Sequence, residues 1–227
     1  MQYRDIVILS RSVATWGNTV AAVLKDCDIP AHVESNTGYF SSYEIQVILS
    51  MLRILDNPLQ DIPMAAVLAS PIVGMDDEEL AQIRSAFKGV SFAQAALSAM
   101  AGEDGYEDEK LKAFALVFER LRGAVADTPI HELLYRMLDE TGFYRYASAM
   151  PAGKRRRQNI DMLIEMAAAY EKTSYKGLFH FVRYIDIQQK YEIDYGEADT
   201  AGENDDVVRI MTIHKSCLLY TSDAADE

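Results

Sequence analysis

Asp5-Ile6-Val7-Ile8-Leu9 and, about 200 residues later, Val207-Val208-Arg209-Ile210-Met211-Thr212-Ile213 are the two short stretches on which the fold turns. Both are apolar at consecutive rather than alternate positions, and Arg209 is the only charge within the second. A strand apolar on both faces belongs in a parallel sheet covered on both sides. These are the only two convincing strands. Two strands of one sheet placed so far apart predict an α/β fold with a large, mainly helical insertion.

Most of what lies between has helical periodicity. The clearest helix opens at Ser41-Ser42-Tyr43-Glu44, a Ser-x-x-Glu capping box, and carries Ile45, Ile48, Leu49, Leu52 and Leu55 on one face until Asn57-Pro58 stops it. Further helices are expected at 61–69, 76–87, 92–100, 108–123, 129–141, 155–172 and 175–191, separated by Gly102, Gly105, Pro129, Gly142, Pro151-Ala152-Gly153 and Thr173. No stretch repeats at a fixed period, which excludes a solenoid. From Asp194 to Asp206 the chain carries six acids, two glycines and no base, the pattern of a solvated linker.

With 49% hydrophobic and 25% charged residues over 227 positions, the chain can build a core and is not a disordered protein. No apolar run reaches the ~18 residues of a spanning helix. The nearest, Met64 to Val73, is broken by Ser70-Pro71. The start, Met1-Gln2-Tyr3-Arg4-Asp5, is not a secretory leader, so a cytoplasmic location is expected. Twenty-two basic against 35 acidic residues, a net charge of −13, exclude a protein that coats nucleic acid with its whole surface but leave room for a local phosphate site. Cys27 and Cys217 stand far apart with no CxxC, which supports neither a disulfide framework nor a zinc site.

Several catalytic signatures fail. Gly153-Lys154 is followed by Arg155 rather than Ser or Thr and is no phosphate-binding loop; His131-Glu132 lacks the second histidine of a zinc-protease helix; Gly89-Val90-Ser91-Phe92-Ala93 follows no strand. What remains lies at the carboxyl ends of the two strands, where open α/β sheets bind ligands. Arg11 follows the first strand; Thr212, His214 and Lys215 end the second. A guanidinium makes forked bonds to phosphoryl oxygens, while Thr, His and Lys suit a nucleic-acid backbone. Merely solvated strand ends are the competing explanation.

The segments Tyr3 to Ser12, Gly38-Tyr39-Phe40 with Glu44-Ile45, Leu52-Arg53-Ile54-Leu55-Asp56-Asn57-Pro58-Leu59-Gln60-Asp61-Ile62-Pro63, and Val208 to Ser216 follow one another in the order of a known family. Ser70-Pro71-Ile72, Thr141-Gly142-Phe143, Met150-Pro151, Arg157-Gln158-Asn159 and Tyr170 to Ser174 leading into Gly177-Leu178-Phe179 add support. Over residues 1–216 the chain resembles the second motor half of a UvrD-like superfamily-one DNA helicase, and within that group the AddA-type helicase/nuclease subunits. The RecB and UvrD/PcrA types are the nearest rivals. A helical interaction module without nucleotide chemistry is the alternative from a different class.

The resemblance implies a RecA-like second motor domain, of P-loop NTPase type, over 1–90 and again over 206–216, with an accessory helical domain inserted at 91–205. It implies that Arg11 contacts the γ-phosphate of ATP as an arginine finger does. Ser10 stands where relatives carry an adenine-stacking tyrosine, so stacking there is not expected. Thr212, His214 and Lys215 would grip single-stranded DNA, with Glu44 a further contact; for Glu44 a capping role is the alternative. Lys154, Arg155, Arg156 and Arg157 would touch duplex backbone, or form an ordinary solvated helix start. Phe179, Phe181, Val182 and Ile185 read as core, as do Trp16 and the methionines, and His131 and His180 as structural. The implied cofactor is ATP with Mg²⁺, whose ligands lie outside this segment, and the implied partners are DNA and an AddB subunit. The parent would be an ATP hydrolase and exonuclease acting in DNA repair and recombination, this segment alone being inactive. After Ser216 the chain leaves the family pattern: Cys217 to Glu227 looks like the translation of a sequencing adapter.

Overall fold

The computed structural model describes residues 2–11, 16–33, 39–173, 176–190 and 206–213. The chain divides into two compact units, Met1–Tyr39 with Glu192–Glu227, and Phe40–Tyr191.

The first unit holds strand β1 (Val7–Ser10), helix α1 (Gly17–Asp26), strand β2 (Ala31–Val33) and strand β3 (Val208–Thr212). The sheet order is β1-β3-β2, and both pairings are parallel. The two strands expected from sequence are therefore neighbours. Val7 stands opposite Arg209 and Ser10 opposite Thr212. Outside the ladder, the Val208 amide donates to the Pro30 carbonyl at 2.8 Å and the Arg4 amide to the Asp206 carboxylate at 2.9 Å.

Consecutive apolar residues mean different things in the two strands. Central β3 buries Val208, Ile210 and Met211, as a strand covered on both faces should. In β1, at the edge of the described sheet, Val7 and Leu9 remain 45% and 48% exposed, which corrects the expectation of two covered faces. Strand β2 was not expected. Three residues with His32 in the middle carry no periodic signal, and only the pairing with β3 makes them a strand. Helix α1, which opens at Gly17 without a side-chain cap, was missed for a similar reason.

The second unit is helical: α2 (Tyr43–Asp56), α3 (Asp61–Ala69), α4 (Asp77–Ala86), α5 (Phe92–Met100), α6 (Glu109–Ala124), α7 (Ile130–Thr141), α8 (Phe143–Ala149), α9 (Gly153–Tyr170) and α10 (Leu178–Lys190). Helix α2 is buried nearly all round, from Ile45 through Leu55, and packs on α3, α6, α9 and α10. That packing gathers the helices of 43–86 into one core with those that follow, so the compact helical unit begins at Phe40. Capping boxes form at Asp76/Glu79 and Ser91/Gln94. The one expected at Ser41 does not, because the N-cap is Ser42, its side chain makes no capping bond, and Glu44 turns elsewhere. Gly142, at φ +67, ends α7, and the chain immediately starts the short α8, which had no separate sequence signal.

No helix among the described residues is long and apolar enough to cross a membrane.

Candidate functional site

Parallel pairing brings the carboxyl ends of β1 and β3 to one edge of the sheet. Ser10 and Thr212 are register partners, adjacent strands lie ~4.8 Å apart, and Arg11 is the next residue out from β1. Strand β2 ends lower, with Val33 level with Ile210. Arg11 is exposed, so its guanidinium can reach a phosphoryl oxygen without being desolvated first. The backbone of Thr212 closes β3 at this edge; His214 and Lys215 lie outside the described residues, as does the tail from Cys217 to Glu227. Among the described residues no group of three or more His, Cys, Asp or Glu could hold a metal ion.

Glu44 is somewhere the sequence did not put it. Its side chain is 2% exposed and accepts hydrogen bonds from Arg156 and, at 2.7 Å, from the Asn159 amide of α9. Asn159 is 0% exposed. The carboxylate thus pins the first turn of α2 to the first turns of α9 from the inside. It is neither a cap nor a surface acceptor, and the expected DNA contact is corrected to a structural bond. Asn159 had a faint signal: asparagine inside an apolar helical stretch is a poor helix former that needs a partner.

The same bond splits the basic cluster. Arg156 also donates to the Pro151 carbonyl at 3.1 Å and keeps only 20% of its side chain exposed. Lys154 and Arg157 are exposed and Arg155 is half-buried. Nearby, burial pushes the Tyr43 phenol up, with Tyr146 adding to the shift and Arg156 opposing it.

Phe181 and Ile185 are fully buried, Val182 partly, but Phe179 is 54% exposed, a correction to its reading as core. His131 is structural: its Nδ1 lies 2.6 Å from the Glu171 carboxylate, which also accepts the Ile130 and His131 amides and so caps α7 from the end of α9.

A mainly helical chain with a small parallel sheet and an arginine at the strand-end edge matches the UvrD-like helicase C-terminal domain over residues 1–217, and the chain belongs to that family. Its similarity runs further, to particular members, the A-subunits of ATP-dependent helicase/nucleases. It is 43% identical over 218 residues to the one from Anoxybacillus flavithermus and 41% over 218 residues to the one from Oceanobacillus iheyensis. Its counterpart in Lachnoclostridium phytofermentans is 38% identical over 260 residues. Each match covers 95% of this chain, which spans only about a fifth of the relatives' length (18–19%).

Proposed function

We propose that this chain is the second motor segment of an ATP-dependent DNA helicase/nuclease subunit of the AddA type, working with an AddB partner in the cytoplasm to unwind and degrade DNA at double-strand breaks before recombinational repair. The observation that carries this reading is the parallel pairing of β1 with β3, with Ser10 opposite Thr212. It supports a RecA-like sheet interrupted between β2 and β3 by the helical block.

In this reading Arg11 forms forked, charge-assisted bonds to the ATP γ-phosphate and stabilises the charge that spreads over the transferring phosphoryl group. Thr212, at the end of β3, together with His214 and Lys215, which follow it in sequence, holds the phosphates of single-stranded DNA. Nucleotide and strand are thereby read at the same sheet edge, which is what coupling requires. Lys154 and Arg157 supply exposed cations to duplex backbone, while Arg156 holds its helix. The described residues offer no set of ligands for Mg²⁺, whose chemistry would be to neutralise the β- and γ-phosphates; its ligands, and the attacking water's, belong to other parts of the full-length protein. Alone, the segment hydrolyses nothing.

The test is the DNA-stimulated ATPase of the full-length protein with its partner. Arg11→Ala lowers kcat by about 10³-fold or more, as loss of an arginine finger does, with single-strand affinity retained. A normal kcat overturns the assignment.

A further inference from the structure

Away from the strand ends, α7, α8 and α9 frame an open cavity of about 390 Å³ at the surface. Its floor is Leu138 and Ile164, 3% and 5% exposed. Tyr135, 59% exposed, and Tyr144 also line it. The Tyr144 hydroxyl donates to both oxygens of Asp161, at 3.2 and 3.4 Å. Burial first, then the Asp161 charge, pushes the Tyr144 phenol up, so it stays a neutral donor, with Arg157 acting weakly in the opposite sense. Arg145, also in the lining, pairs with Asp139 at 3.6 Å, both side chains being largely exposed. Such a pair is worth little and exchanges readily.

An acyl chain would leave every charge at the mouth unused. A guanidinium ligand would meet Arg145, and a carboxylate ligand would meet Asp139 and Asp161. A nucleotide fits all of them at once: a flat π face for a tyrosine ring, N–H donors for a carboxylate, and a phosphate for a guanidinium. Guanine presents two parallel N–H donors to one carboxylate, whereas thymine presents a single N–H flanked by carbonyls.

We propose that this cavity captures one unstacked base of a DNA strand, guanine ahead of thymine, with the base against Tyr135, its donor edge on Asp161 and its phosphate on Arg145. The proposal rests on the DNA-translocating reading above and adds to it a second, base-reading contact on the helical unit.

The experiment measures, by fluorescence anisotropy, binding of the 227-residue chain to a short oligothymidylate strand and to the same strand carrying one central guanine. The guanine strand binds about tenfold more tightly, in keeping with the discrimination supplied by one bidentate hydrogen-bonded pair. Tyr135→Ala and Asp161→Asn abolish that preference, and Tyr135→Phe, which keeps the ring, retains it. Because the Tyr135 ring is mostly exposed, its removal leaves the fold intact, which a thermal melt checks. A guanine preference that survives Tyr135→Ala overturns the cavity's role while the DNA reading stands. Failure of the chain to bind either strand overturns the cavity's role, whereas the DNA-translocating reading belongs to the full-length protein and stands or falls with its DNA-stimulated ATPase. Tyrosine amide, but not guanosine monophosphate, shifting the NMR signals of Tyr135 and Tyr144 overturns it in favour of a protein partner.

Discussion

Removing Glu44 is the sharpest perturbation the helical unit offers. Glu44→Ala takes from Arg156 its anion and from the fully buried Asn159 amide its 2.7 Å acceptor. Breaking a buried ion pair from one side costs about 3–5 kcal/mol. Arg156 keeps 20% of its side chain in contact with water and can partly resolvate, which points to the lower end. Loss of the Asn159 bond brings a further ~1–3 kcal/mol, but within one network the two losses overlap. The expected loss is about 3–4 kcal/mol, a large part of the ~5–15 kcal/mol of a typical domain. Urea unfolding of the chain measures it, and a cycle with Glu44→Gln, Arg156→Met and the double variant isolates the pair. A coupling of ~1 kcal/mol or more is expected, because the double variant buries no lone charge. A loss under ~0.5 kcal/mol for Glu44→Ala, or a coupling of zero, refutes the reasoning and returns Glu44 to the surface role expected from sequence.

Three other outcomes follow from the same geometry. A Cβ at Gly153 would collide with the Ser148 carbonyl oxygen, so Gly153→Ala destabilises by about 1–3 kcal/mol, whereas Gly123→Ala, with open space in the last turn of α6, stabilises by up to ~1 kcal/mol; thermal melts separate them. Asp61 accepts the Ala93 amide at 2.9 Å, and that bond chiefly holds its carboxyl below the usual value. Its stabilisation is present above the unfolded-state pKa of ~4 and is lost as pH falls through the lower folded value, so Asp61→Asn flattens the acid limb of a urea-midpoint profile. Arg156→Ala lowers stability in urea, while Lys154→Ala and Arg157→Ala leave stability alone and weaken duplex binding in a salt-dependent manner; equal stability losses from all three refute the division of the cluster.

Local pattern and order along the chain were enough to find most of the helices, because amphipathic repeats, Asn57-Pro58, Pro129 and Gly142 act within a few residues of where they stand. They were enough, too, to pair the two distant strands, since a continuously apolar run has few places to go and the family's motifs occur in one sequence order. Tertiary structure alone decided what depends on a neighbour remote in the chain. Strand β2 exists because β3 hydrogen-bonds to it, and β1 keeps Val7 and Leu9 in solvent because it lies at the described edge. The unit boundary fell at 39/40 because α2 packs on α9 and α10, more than 100 residues away. Glu44 shows the distinction most directly. Ser-x-x-Glu is a valid local cap, yet a carboxylate beside a guanidinium and a buried amide gains more than one exchanging water for a backbone N–H, and the identity of those partners is written nowhere near residue 44.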